Sequence, residues 1–400
     1  MSGHEIIVGI DFGTTYTGVS WAINAGLKTV HLVDTWPDPT AMNGNRDSHK
    51  TPSLISYDSK GLETWGFAAD KEKSPRWFKI ALDPDHDHAK ELHMLSDEVQ
   101  GVDNKIQEAE RATVDYLRNI WSYTREHIQR YNANGWSEMF TTKVILAVPA
   151  MWTQAAKHRI RRIAEKAGLP SNLSVVSEPE AAALAVFRDR NDGRDLIKVR
   201  IVLQTFRIVI LITFKTNDVF MVCDAGGGTV DLISYRVTKS DPLQVEECVS
   251  GTGGFCGAAF IDMHFEDFVR TKTGHEAYFK ISEANRMKMI HEFDTLVKRS
   301  YQGGDLTTSV GLKGLQDNPS EGIINERINI PGLRTLFDGI CDDIVRLVES
   351  QIDAVIKNGH KVKSVLLVGG FGANRYLHTR IEAARKVKAG NIAVVQTLDS

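Results

Sequence analysis

Cysteine is scarce and scattered: Cys223, Cys248, Cys256 and Cys341 are the four in 400 residues, and no C-x-x-C pair occurs. Neither a disulfide scaffold nor a thiolate zinc site is therefore expected, and a reducing compartment fits. An excess of one charge is also missing. Forty-eight Lys and Arg face 51 Asp and Glu, for a formal charge of −3. Nothing electrostatic therefore points to a nucleic-acid partner or an anionic membrane. Only one long apolar run exists, VRIVLQTFRIVILITF at 199–214. It is shorter than the roughly 20 residues of a membrane span, and Arg200 and Arg207 interrupt it. No Pro- or Ser-rich linker and no low-complexity tract divides the chain. A strand-like run from Ile6 starts almost at the first residue, so no signal peptide is expected and a cytoplasmic location is. What remains, 42% apolar and 25% charged residues, suits a soluble chain long enough for two or more lobes.

The chain opens as strand, tight turn, strand: IIVGID, FGTT, YTGVSWAI. Residues 83–108 are polar and read as surface loop. Val114, Leu117, Ile120, Trp121, Ile128 and Tyr131 then recur at helical spacing. A buried strand over Val144–Val148 stops at Pro149. The next helix carries Ala156, Ile160, Ile163, Ala164 and Ala167 on one face and ends at Gly168. The second half restarts in the same way with FMVCDAGGGTVDLISYRV. Laying Asp224 on Asp11 aligns Gly226 with Gly13 and Leu232 with Val19, a weak repeat at half-chain scale that suggests duplicated lobes. Late in the chain a helix from Ile340 to Ile356 precedes the strand Ser364–Val368 and Gly369-Gly370-Phe371-Gly372. Strands alternating with helices indicate α/β layering.

Chemistry concentrates at the two Asp-Gly turns. Glycine lets backbone amides approach a phosphate because no Cβ intervenes. Thr14, Thr15 and Thr229 add hydroxyl donors, and Asp11 and Asp224 sit where a carboxylate can reach magnesium through its water shell. Either turn alone could be a plain hairpin. Two of them predict a polyphosphate gripped from both sides. Other nucleotide signatures are absent: there is no G-x-x-x-x-G-K-[ST] and no G-x-G-x-x-G opening a helix, Gly251-Thr252-Gly253-Gly254 coming nearest.

DFGTTYTG, VILAVPAMWT, VSEPEAAALA, VCDAGGGTVDLIS and LLVGGFGAN follow one another in this order. From about residue 5 to 385 the chain thereby resembles the heat-shock-protein-70-like members of the actin-like ATPase superfamily, most closely divergent fungal-type ones. The resemblance implies an α/β, ribonuclease-H-like fold with two duplicated lobes around a nucleotide cleft: lobe I at 1–198, an anomalous apolar insertion at 199–217, and lobe II at 218–400. It further implies ATP or ADP with Mg2+ as cofactors and slow hydrolysis coupled to a molecular switch. Asp11 and Asp224 would hold the metal's waters, Glu178 would add a carboxylate, and Asp231 would orient water. Lys79 would contact phosphate. Gly13, Thr14, Thr15 and Tyr16 would line the phosphates from one lobe, and Gly226, Gly227, Gly228 and Thr229 from the other. Gly253 and Gly254 would lie over ribose and phosphates, Lys298 and Arg299 beside the adenosine, and Gly369 and Gly370 beneath the base. Two departures stand out: Thr295 occupies the usual acidic adenosine position three before Lys298, and Phe371 replaces a small hydroxyl residue.

The 199–217 segment has two readings, a genuine extra strand or interface element, or translated intron, with the second preferred. The chain stops shortly after the adenosine motif, so neither the closing helix of the family nor a peptide-binding β-sandwich is expected in it, and protein partners stay open. A non-catalytic nucleotide-binding module and a sugar-kinase-type enzyme are the rival readings. Simpler explanations hold elsewhere. Asp85, His86, Asp87, His88 and His93 read as a solvated loop, Lys157–Lys166 as a solvated basic helix face, Trp65, Trp77 and Trp121 as packing residues, and Cys223 as a small apolar filler.

Overall fold

Alternation sets the first strand. In β1, Glu5–Phe12, the residues Ile6, Val8, Ile10 and Phe12 are buried and their neighbours only partly so, the period-2 pattern of a sheet with one face on a core. A computed structural model gives the fold and describes residues 4–24, 29–71, 73–75, 77–83, 102–132, 135–188, 197–203, 208–240, 243–304 and 306–396. Two compact units emerge, Met1–Glu178 and Pro179–Ser400.

In the first unit β1 pairs antiparallel with β2, Tyr16–Ile23, which continues to β3, Val30–Leu32, and along its other end to β4, Lys50–Pro52. On its other side β1 pairs parallel with β5, Thr141–Val148, and β5 with β6, Leu173–Ser177. The order is therefore β3-β2-β1-β5-β6. Pro149 ends β5 as expected. The helix before it, α1, runs Val102–Tyr131. It thus begins inside the stretch expected to be loop, whose residues 84–101 lie outside the described ones, as do Asp85 to His88 and His93. The first turns of α1 are polar, and they pack through the small side chains Ala109 and Ala112 before Tyr116, Leu117 and Ile120 enter the core. Helix α2, Gln154–Lys166, starts on a Thr153 side chain that accepts from Ala156 N and ends at Gly168, whose φ is +82°. Arg159 and Arg162 on it pair with Glu110 of α1. The third helix, α3, spans Glu178–Arg188.

One core contact is pH-sensitive. Trp21 Nε1 donates to His127 Nδ1 at 3.1 Å, and both side chains are buried. Burial, assisted by the Arg130 charge, holds His127 below its ordinary value of 6.5. The accepting nitrogen must stay unprotonated. A base depressed in the folded state contributes stability above its unfolded value and loses it as pH falls through the folded one. The thermal midpoint should therefore drop as pH falls below about 6.5, and His127→Leu should flatten that part of the profile while lowering stability at pH 8.

The apolar run forms a hairpin: β7, Ile197–Leu203, pairs antiparallel with β8, Ile208–Phe214, as a two-stranded sheet of its own. The second unit's main sheet then begins. β9, Val219–Ala225, is a continuous apolar run buried on both faces except at Asp224, as befits a central strand. It pairs antiparallel with β10, Val230–Ser240, and β10 with β11, Leu243–Gly254. On the other side it pairs parallel with β12, Val362–Val368, which continues to β13, Ala393–Gln396. The order β11-β10-β9-β12-β13 reproduces that of the first unit strand for strand, with the same antiparallel and parallel pairings. Among its helices are α4, Ala258–Thr273, α5, Arg334–Lys357, and α6, Arg375–Ala383.

Candidate functional site

In each sheet the aspartate and its glycine turn lie at the carboxyl end of the central strand, where open α/β sheets place ligands. In the first unit, Asp11 is the penultimate residue of β1. The turn beyond it closes through Gly13 N, which donates to Tyr16 O at 3.1 Å. A Cβ on Gly13 would lie 2.3 Å from that oxygen, so only glycine closes this turn. Thr14 is buried and Tyr16 exposed, with Thr15 between these extremes. Ser53 stitches the turn to the strand beside it, since its N donates to Thr15 O and its Oγ to Gly13 O.

Lys79 is 3% exposed, and its Nζ lies 2.5 Å from Glu178 Oε1. Phe12 and Trp152 face the ammonium with ring centroids at 5.6 and 5.8 Å. Glu178 follows the last residue of β6, Phe12 ends β1, and Trp152 lies just past β5, so the cage assembles from three strand ends. Two residues 99 apart in sequence are brought together, which no local spacing foretells.

The second unit repeats the turn. Gly226 N donates to Thr229 O at 3.0 Å, the counterpart of Gly13 N to Tyr16 O. The carbonyls of Gly226, Gly227 and Gly228 accept from the amides of Ala258, Ala259 and Gly257 at the start of α4. Trans peptide geometry then turns the N–H groups of Gly227, Gly228 and Thr229 the opposite way, as a phosphate cradle requires. Asp224 stands opposite the buried Asp231 in the β9–β10 register. Facing like charges oppose each other in a sheet, so this pair favours a cation nearby. Gly369, at φ +86°, leaves room for Asp224: a Cβ there would lie 2.4 Å from Asp224 Oδ1. Gly370 is exposed beside it. Burial pushes the Cys223 thiol well up, in keeping with an inert filler.

Gly253 lies opposite Asp231 in the β10–β11 register, next to Gly254, and the register shifts between Leu232 and Ser234. Gln351 of α5, fully buried, holds that irregularity. Its Oε1 accepts from Thr252 Oγ1, and its Nε2 reaches Ser234 Oγ and Ser250 O. Nothing in the sequence singled out Gln351.

Lys298 and Arg299 differ sharply. Lys298 is buried in a π-helical turn, Phe293–Lys298, with Nζ 2.7 Å from Asp262 Oδ2 and 2.7 Å from Asp294 Oδ1. Burial alone would raise the Asp294 carboxyl, but the Lys298 charge and hydrogen bond outweigh it and hold it below its usual range. Arg299 is 57% exposed and lies 3.6 Å from Asp294 Oδ2, so it is the more available cation of the two. The acids beside Lys298 are thus Asp262 and Asp294, and position 295 holds none. Asn374 joins this helix end to the glycine turn after β12: its Nδ2 donates to Lys298 O and Tyr301 O, and its Oδ1 accepts from Leu377 N to start α6.

Two sheets of one strand order, each with an aspartate and a glycine turn at the carboxyl end of its central strand, define the actin-like ATPase fold. The profile of the Hsp70 protein family matches residues 7–384, and the chain belongs to that family, whose members bind nucleotide. It is similar to human heat shock 70 kDa protein 12B, at 23% identity over 98% of this chain and 66% of that protein. Human heat shock 70 kDa protein 12A matches at 24% over 65% of this chain and 44% of its own length. The chaperone protein dnaK of Cyanophora paradoxa matches at 22% over 95% and 55%. The chain therefore spans less than two thirds of the length of these relatives. Among the described residues no helix is long and apolar enough to cross a membrane.

Proposed function

We propose that this chain binds ATP with magnesium and hydrolyses it slowly, as a heat-shock-70-like molecular switch. The observation that carries the reading is the duplicated turn. In both units an aspartate at the carboxyl end of the central strand precedes a glycine whose amide closes a four-residue turn, Gly13 to Tyr16 and Gly226 to Thr229. The donor set suits a hard cation and an anion together. Asp11 and Asp224 offer carboxylate oxygens for a magnesium ion's waters, and the amides of Gly227, Gly228 and Thr229 suit phosphate oxygens. When bound, the ion would neutralise charge on the phosphate oxygens. Lys79, paired with Glu178, would stabilise charge on a transferring phosphoryl group, and Asp231 would orient water. Gly253, Gly254, Arg299, Gly369 and Gly370 would contact the nucleoside, with Lys298 fixing the helix that carries Arg299.

The test is Asp224→Asn. It keeps the shape of the side chain but removes its charge, so steady-state phosphate release should fall at least about a hundredfold, as for loss of one transition-state contact. Turnover equal to wild type would refute the site. ATP binding without any turnover in wild type would favour the non-catalytic module instead.

A further inference from the structure

An ammonium group already sits on one of the two proposed metal-holding carboxylates. Lys50 Nζ lies 3.2 Å from Asp11 Oδ2, with the two side chains 40% and 46% exposed. Its place is fixed by the fold. β4 pairs Lys50 with Gly18, Thr51 with Thr17 and Pro52 with Tyr16, so Lys50 is anchored to the strand that leaves the glycine turn. Its stem lies along Gly18, where a Cβ would meet Lys50 Cγ at 3.3 Å. Ser53, three residues on, donates from Oγ to Gly13 O and from N to Thr15 O, which ties β4 to the same bend.

We propose that Lys50 is a resident cation of the phosphate site that takes over part of the magnesium ion's charge neutralisation, so that nucleotide binding by this chain depends only weakly on magnesium. The inference rests on the nucleotide reading above. An ion pair this exposed holds together by little, so the ammonium transfers readily from Asp11 to a triphosphate, whose several negative charges exceed the single charge of the carboxylate. Whichever oxygen it rests on, the Lys50 charge beside Asp11 also weakens the pull of the site on a hydrated divalent ion. Both effects act in one direction: removing magnesium costs less affinity than it would with a neutral residue at position 50.

The measurement is the dissociation constant of a fluorescent ATP analogue at equilibrium, taken in excess magnesium and in excess EDTA. Lys50→Met keeps the stem on Gly18 and removes the charge. It should widen the EDTA-to-magnesium ratio by roughly tenfold, the worth of one charge-assisted contact. Lys50→Arg should keep the wild-type ratio, and Lys50→Gln should repeat the effect of Met if that variant folds poorly. An unchanged ratio in both uncharged variants, with wild type binding ATP normally, overturns this inference and leaves the nucleotide reading standing. Absence of ATP binding by folded wild type in either condition overturns both.

Discussion

Gly369→Ala should destabilise the second unit by about 3 kcal/mol or more, the range of a severe backbone clash. The added methyl would lie 2.4 Å from Asp224 Oδ1 and 2.5 Å from Ala225 O, at a φ of +86° that L-residues rarely adopt. Neither neighbour can give way cheaply. Ala225 O accepts from both Phe371 N and Gly372 N, and Asp224 lies in the central strand. Moving the turn away would break those bonds, and moving Asp224 would disturb the carboxylate proposed to hold magnesium's waters. ATP affinity should fall together with the thermal midpoint. Gly370→Ala is the control. A Cβ there meets nothing within 4 Å, and φ is not in the left-handed range, so stability should stay within about 0.5 kcal/mol of wild type. A Gly369→Ala protein that melts with wild type would show that this turn is not a fixed part of the unit.

The second large effect is expected at Lys79. Removing one partner of a buried ion pair costs about 3–5 kcal/mol, because the remaining charge has lost its compensation. Lys79→Met should therefore lower stability by an amount of that order, even though methionine fills similar space between Phe12 and Trp152. Adding Glu178→Gln should return much of the stability by taking away the buried carboxylate. It should not return hydrolysis, because the ammonium proposed to contact phosphate is still missing. That separation distinguishes a catalytic lysine from a structural one. If the double variant regained both, the pair would be a packing device, and Lys79 would have no part in phosphoryl transfer.

Much of this architecture was legible because punctuation residues are unambiguous. Pro149 and Gly168 end the elements they were expected to end, and the two Asp-Gly turns mark the ends of both central strands. The start of α1 was not legible. Its first turns bury alanines, which give a much weaker periodic signal than the Leu, Ile and Trp side chains further along. The apolar run at 199–214 was seen as one block, and its division into two strands follows from a register that composition does not show. Of the candidate site, the glycine turns were legible because a Cβ at Gly13 or Gly369 would strike backbone oxygens. Lys50, Asp262 and Gln351 were not, since each matters through a partner far away in sequence and lies in no recognisable pattern.

The π-helical turn at Phe293–Lys298 decides where the Lys298 ammonium points. Its i→i+5 bonding accommodates one more residue per turn than an α-helix. Within it Thr295 Oγ1 donates to His291 O while Asp294 Oδ1 meets Lys298 Nζ. An α-helical turn in its place would shift Lys298 around the helix axis, so the wide turn helps to aim its ammonium at Asp262 of α4.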